Sequence, residues 1–147
     1  MTDAERGEGE RRVIGVDWGE KRIGISISDP RGKLAAPAGF LTRRAGKRPP
    51  IAKLIERAKE LGAHAFIFGL PLDGNGDDTP RATEVRAVAA EVGRRTGFRV
   101  DLVDERFTTS AARRAVRVMG GRPEERPGQV DALAATVLLQ HALDHRR

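Results

Sequence analysis

Apolar residues along this chain follow two periods, and the change between them outlines a fold. Val13 to Asp17 is a short apolar run ending in one acid, the pattern of a buried strand. A turn through Trp18, Gly19 and Glu20 follows, with Gly19 available for a positive φ. Ile23, Ile25 and Ile27 alternate with Gly24, Ser26 and Ser28, a strand with one apolar face. After the turn Asp29-Pro30-Arg31-Gly32, Lys33 to Thr42 reads as a third strand, with Pro37 suited to an edge or a bulge. These three form an antiparallel meander.

From Pro49 the spacing becomes helical. Ile51, Leu54, Ile55, Ala58 and Leu61 recur three and four apart, Pro49-Pro50 open the helix and Gly62 ends it. His64 to Leu70 is a strand buried on both faces, and Pro71 to Asp78 a loop expected to lie over a site. Thr79 caps, and Pro80 opens, a helix through Val85, Val88, Ala89 and Val92. Phe98 to Glu105 is another strand. Thr108 or Thr109 caps a helix over Ala111 to Met119, stopped by Gly120-Gly121; a loop from Arg122 then leads to a last helix, Gln129 to Leu143. This order predicts an α/β fold, a mixed five-stranded sheet with helices on both faces. Residues 1–12 read as a charged, disordered arm and 13–147 as a single domain.

Cysteine is absent, which excludes disulfides and thiolate chemistry and suits a reducing cytoplasm. No apolar run is long enough to cross a bilayer, and the charged first residues are unlike a secretory signal, so a cytoplasmic protein without a membrane partner is expected. The net charge of +6 changes the picture more. Arginines gather at Thr42–Arg48, Gly93–Arg99 and Ala111–Arg117, the last run holding Arg113 and Arg114. Such a surface attracts polyanions; the plainer reading is charge spread over solvated faces. No aromatics interleave with the runs, which signals phosphate contact rather than base stacking.

Four acids stand where acids are uncommon. Asp17 ends the first strand, and Asp104 and Glu105 end the last. If those two strands are neighbours, their carboxylates meet at one rim, where sites form in open α/β sheets. Asp131 is the only charged residue between Val130 and Leu139, and shares a helix face with Ala134, Ala135 and Leu138. An acid on an inward face needs a donor, a cation or a metal. Each acid also has a structural reading: Asp17 caps its turn, Glu105 pairs with Arg106 or another arginine, and Asp131 is a first-turn acid favoured by the helix dipole. Convergence of Asp17, Glu105 and Asp131 would instead make a hard-cation site for Mg²⁺ or Mn²⁺. His64, His141 and His145 show no metal-ligand spacing, and Ser28 and Ser110 have no local base. The loop Gly69 to Asp78 lacks the Lys-Ser/Thr ending of a P-loop. Trp18 either plugs its turn against the core or flanks the site.

Gly15–Asp29, Gly69–Ala82, Val103–Thr109 and Gln129–Gln140 together resemble the YqgF family, also called RuvX, in order and spacing. The resemblance implies an RNase H-like, RuvC-like fold and a metal-dependent nuclease with Asp17, Glu105 and Asp131 as catalytic and metal-binding acids. It implies processing of the pre-16S rRNA 5′ end during ribosome biogenesis, or resolution of four-way DNA junctions. The chain departs from the family's usual pattern at Asp73–Gly76 and at Pro127 and Gln129. Gly128 and Ala134 stand where RuvC-type sites place a further acid, leaving Asp104 or Asp73 as an additional ligand. Lys21, Arg22, Arg106, Arg113 and Arg114 are the expected nucleic-acid contacts, toward RNA or structured DNA, in a monomer or weak homodimer. Two other classes remain open: a non-catalytic RNA-binding assembly factor, and an ATPase of the actin and sugar-kinase type, which needs two such domains.

Overall fold

The computed structural model describes residues 12–106, 114, 115, 118 and 127–145. Residues 1–11 of the arm, the Thr108 or Thr109 cap, most of the Ala111–Met119 helix, and Arg113 lie outside the described residues.

The meander forms as its alternation predicts: β1 (Val13–Trp18), β2 (Arg22–Ser28) and β3 (Ala35–Thr42) pair antiparallel in sequence. Pro37 lies on an edge strand, where the β2–β3 register shifts. Helix α1 (Ile51–Glu60) leads to β4 (Ala65–Leu70), α2 (Pro80–Thr96) to β5 (Arg99–Asp104), and α3 (Pro127–Asp144) ends the described chain. The α2 cap is the expected one: Thr79 Oγ1 accepts from Ala82 N at 3.1 Å with Pro80 in the first turn.

Strand order is β3-β2-β1-β4-β5, with β1–β4 and β4–β5 parallel. This corrects one expectation, because β1 and β5 are not neighbours: β4 runs between them. The helix α2 connection carries the chain from β4 one strand outward to β5, which leaves β4 between the two strands that bear the acids. One face packs Val16, Trp18, Phe66 and Phe68 against Leu54, Ala58, Val85 and Val92 of α1 and α2. The other face carries α3, whose Leu139 and Leu143 pack on Val13 and Ile67. Among the described residues no helix is long and apolar enough to cross a membrane.

Gly19 corrects a second expectation. Its φ is not positive; the position needs glycine for space, since a Cβ there would lie 2.4 Å from Arg22 O across the β1–β2 turn. Trp18 resolves toward packing. It is 1% exposed, its Nε1 donates to Glu84 at 2.8 Å, and the Arg43 guanidinium lies 5.2 Å above its ring. Arg43 also donates to Gly19 O and to both Glu84 oxygens, tying the β1–β2 turn to α2.

Candidate active site

The carboxyl ends of β1, β4 and β5 share one rim, and the acids meet there across β4 rather than side by side. Asp17 stands one residue beyond the Val16–Phe68 pair, and Glu105 N donates to Leu70 O at 3.3 Å, extending the β4–β5 ladder by one step. The residue between them is Gly69. A Cβ there would fall 2.2 Å from Glu105 Oε2 and 2.9 Å from Leu138 Cδ2, so only glycine lets Glu105 cross to Asp17 beneath α3.

The two side chains are partly buried and hydrogen-bonded to each other. Burial pushes the Glu105 carboxyl up to about 9, with the charge of Asp17 and the bond to it adding to the rise. Burial also raises Asp17, but acceptance of that bond and Arg81 oppose the rise. Burial and the repulsion of a neighbouring acid raise both carboxyls, so the proton belongs to the pair. Two carboxyls held this close share one negative charge.

Asp131 comes to the same corner by a second close approach. Gly24, paired with Asp17 across β1–β2, lies against the backbone of α3; a Cβ there would sit 1.9 Å from Asp131 O. Ser26, two residues on, donates to Ala135 O at 2.7 Å, and a Cβ on Gly15 would meet Leu139 Cβ at 2.8 Å. Asp131 is near enough for its charge to raise Asp17, yet its Oδ2 accepts from Arg22 Nε at 2.6 Å, with both side chains about a quarter exposed (30% and 24%). It is not a first-turn acid, because α3 starts at Pro127 and has none. Ala134, Ala135 and Leu138 are buried, as the face counting predicts. Among the described residues no three acids or histidines already stand as a metal cage.

The remaining candidates are placed apart from this corner. Asp104 is exposed and turned to Arg106, accepting from its backbone N at 3.0 Å and its Nε at 2.8 Å, which holds the carboxyl below its usual range. Asp73 Oδ1 accepts from Asn75 N and Asp77 N, organising its own loop. Lys21 and Arg114 are exposed. His64 packs on Phe98, and His141 on His145, away from the rim. Sequence reasoning missed Gly24, Gly69 and Arg81. The glycines had a signal, since glycine inside a strand marks close backbone approach. Arg81 had none: it lies far along the chain from both acids, yet its charge acts on Asp17 and Glu105. It also lines a cavity of about 630 Å³ with Arg43, Glu20, Glu84, Leu72 and Thr79.

A family model for RuvX, described as Holliday junction resolvase, matches residues 11–145. The chain belongs to the RuvX family. Among RuvX relatives, the protein named "Putative pre-16S rRNA nuclease" from Acidiphilium cryptum is 41% identical over 134 residues, covering 90% of this chain and 84% of its own. The protein of the same name from Mycobacteroides abscessus is 38% identical over 140 residues, covering 95% and 84%. Thermus thermophilus RuvC in complex with a Holliday junction substrate superposes with a TM-score of 0.54 at 16% identity, over 90% of this chain and 93% of RuvC. That likeness carries the fold, which is RNase H-like as the resemblance implies.

The RuvX corner suits a hard divalent ion on its donor chemistry. Two carboxyls are pressed together at a partly buried rim, and the proton between them stands where a cation would serve the same charge. The shared proton also makes stability pH-dependent. Unfolded Glu105 releases its proton near the ordinary 4.5 and folded Glu105 near 9. Between these values the unfolded chain holds fewer protons, so rising pH favours unfolding. In EDTA, Tm is expected to fall as pH is raised from about 4.5 to about 9, and Glu105→Gln to flatten that slope. Parallel slopes for the two proteins in a thermal-shift series would refute the shared proton.

Proposed function

We propose that this protein is a metal-dependent nuclease that hydrolyses phosphodiester bonds in the 5′ region of pre-16S rRNA during ribosome biogenesis in the cytoplasm. The observation that carries the reading is the Asp17–Glu105 pair, a partly buried arrangement of like groups that contributes nothing obvious to stability and is built at the rim by a glycine. The names of the RuvX relatives support the substrate.

Asp17 and Glu105 would hold the ion, Mg²⁺ or Mn²⁺, with Asp131 as the third acid and Asp104 kept at the margin by Arg106. When bound, such an ion supplies Lewis acidity toward the phosphodiester. Asp17, which both Glu105 and Asp131 act on, is the principal ligand; the pair must give up its shared proton to take up the ion. Arg81 lies where it can hold a phosphate oxygen of the substrate, since its one described ion pair, to Glu20, is long at 3.5 Å and exposed. Lys21, Arg22, Arg106, Arg113 and Arg114 provide charge for the RNA backbone.

The test is direct. Purified protein is incubated with RNA carrying the precursor 5′ extension and with a four-way DNA junction, each with Mn²⁺ and with EDTA. Cleavage of the RNA in Mn²⁺ alone is expected. Preferential cutting of the junction moves the substrate to DNA, and tight RNA binding without cutting under any condition supports the non-catalytic assembly factor.

A further inference from the structure

We infer that Arg22 is a positioning residue that holds Asp131 out of the cation's reach until a phosphate of the substrate takes over its guanidinium. The inference rests on the reading of the acid corner as a cation site. It starts from the 2.6 Å contact between Arg22 Nε and Asp131 Oδ2. That contact ties the third acid to a fixed positive charge, beside a carboxylate pair that would otherwise attract an ion. The backbone at this point leaves little slack, because Gly24 is pressed against Asp131 O while Asp17 pairs with Gly24 across the strands. Arg22, Asp131 and Asp17 are therefore held within one small region by three different elements.

The guanidinium is only partly used. Among the described residues Asp131 Oδ2 accepts from Nε, while Nη1 and Nη2 have no acceptor. A guanidinium carries five N–H donors in a planar fork suited to phosphate, and 30% exposure leaves this one reachable. A phosphate bound to the free edge competes for the charge now spent on Asp131. Once released, Asp131 carries its full charge toward Asp17. An ion and a phosphate then assist each other's binding through Arg22, and the coupling runs equally in both directions. The arrangement favours cation loading with substrate present over loading of the empty protein.

The experiment measures Mn²⁺ affinity by the EPR signal of the free ion, without cleavage as a readout. Arg22→Gln is expected to bind Mn²⁺ about tenfold more tightly than the native protein, the scale of removing one nearby positive charge at a partly exposed site. In an Asp131→Asn background the same change is expected to give no gain, and Lys47→Gln, which removes an exposed charge elsewhere on the surface, almost none. A 5′-phosphorylated RNA tetranucleotide is expected to raise the Mn²⁺ affinity of the native protein and not that of Arg22→Gln. If Arg22→Gln melts early, Arg22→Lys carries the test: it keeps the charge without the fork and should lose most of the coupling to the tetranucleotide. Unchanged or weaker Mn²⁺ binding in Arg22→Gln, an equal gain without Asp131, or full coupling in Arg22→Lys overturns the role of Arg22. Native Mn²⁺ affinity in Asp17→Asn overturns the cation site itself, a separate result.

Discussion

Asp17→Asn should abolish Mn²⁺- or Mg²⁺-dependent cleavage, with a loss of roughly a thousandfold or more, at or above the cost of removing one preorganised electrostatic stabiliser. The amide keeps the shape and can still accept from the Glu105 hydroxyl, so packing at the rim is preserved. It removes one of the two carboxyls that share the charge of the pair, and with it the principal donor to a hard ion. The same substitution relieves a buried charge, since burial is the main influence raising Asp17. Thermal stability at neutral to alkaline pH should therefore be equal or higher, the trade expected where a site is strained for function. Activity and Tm are measured on one preparation. Full cleavage with chelator-controlled metal would remove Asp17 from the mechanism, and a large drop in Tm would make it a structural acid.

Gly24→Ala should cost the most stability of any single methyl added to the described chain. The new Cβ would fall 1.9 Å from Asp131 O and 2.3 Å from its carbonyl carbon, both backbone atoms of a helix that cannot swing aside. α3 would have to lift from the sheet along the stretch where Ala134, Ala135, Leu138 and Leu139 are buried. Overpacking of this kind costs about 3 kcal/mol or more, roughly a 10 °C fall in Tm for a chain of this size. Lifting α3 also carries Asp131 away from Asp17 and Arg22, so cleavage should fall with stability. Gly74→Ala is the control: nothing lies within 4 Å of its added Cβ, and it should change neither quantity. Urea denaturation of both variants is the measurement, and a Gly24→Ala midpoint equal to that of the native protein would mean the helix does not rest on this strand.

Local rules made most of the elements legible. The alternation of Ile23, Ile25 and Ile27, the helical spacing from Ile51 to Leu61, and the Thr79-Pro80 start act over a few residues, and each holds in the fold. The inward face of the last helix was legible too, because three- and four-residue spacing is a property of the helix alone. Even the acids could be picked out one by one, since a charge inside an apolar run is visible without coordinates.

What those acids do to one another was not legible. Sequence order cannot say that β4 would separate β1 from β5, nor that Gly69 would leave the opening through which Glu105 reaches Asp17. Nor could it say that Arg22 rather than a metal ligand would meet Asp131, or that Asp104 would turn away to Arg106. Hydrophobic period and capping depend on near neighbours along the chain, so the sequence by itself determined the elements and which side chains face inward. Proton sharing and ion pairing depend on distances of a few ångströms between residues up to 109 positions apart. Only the packing of α3 on strand glycines decides those distances.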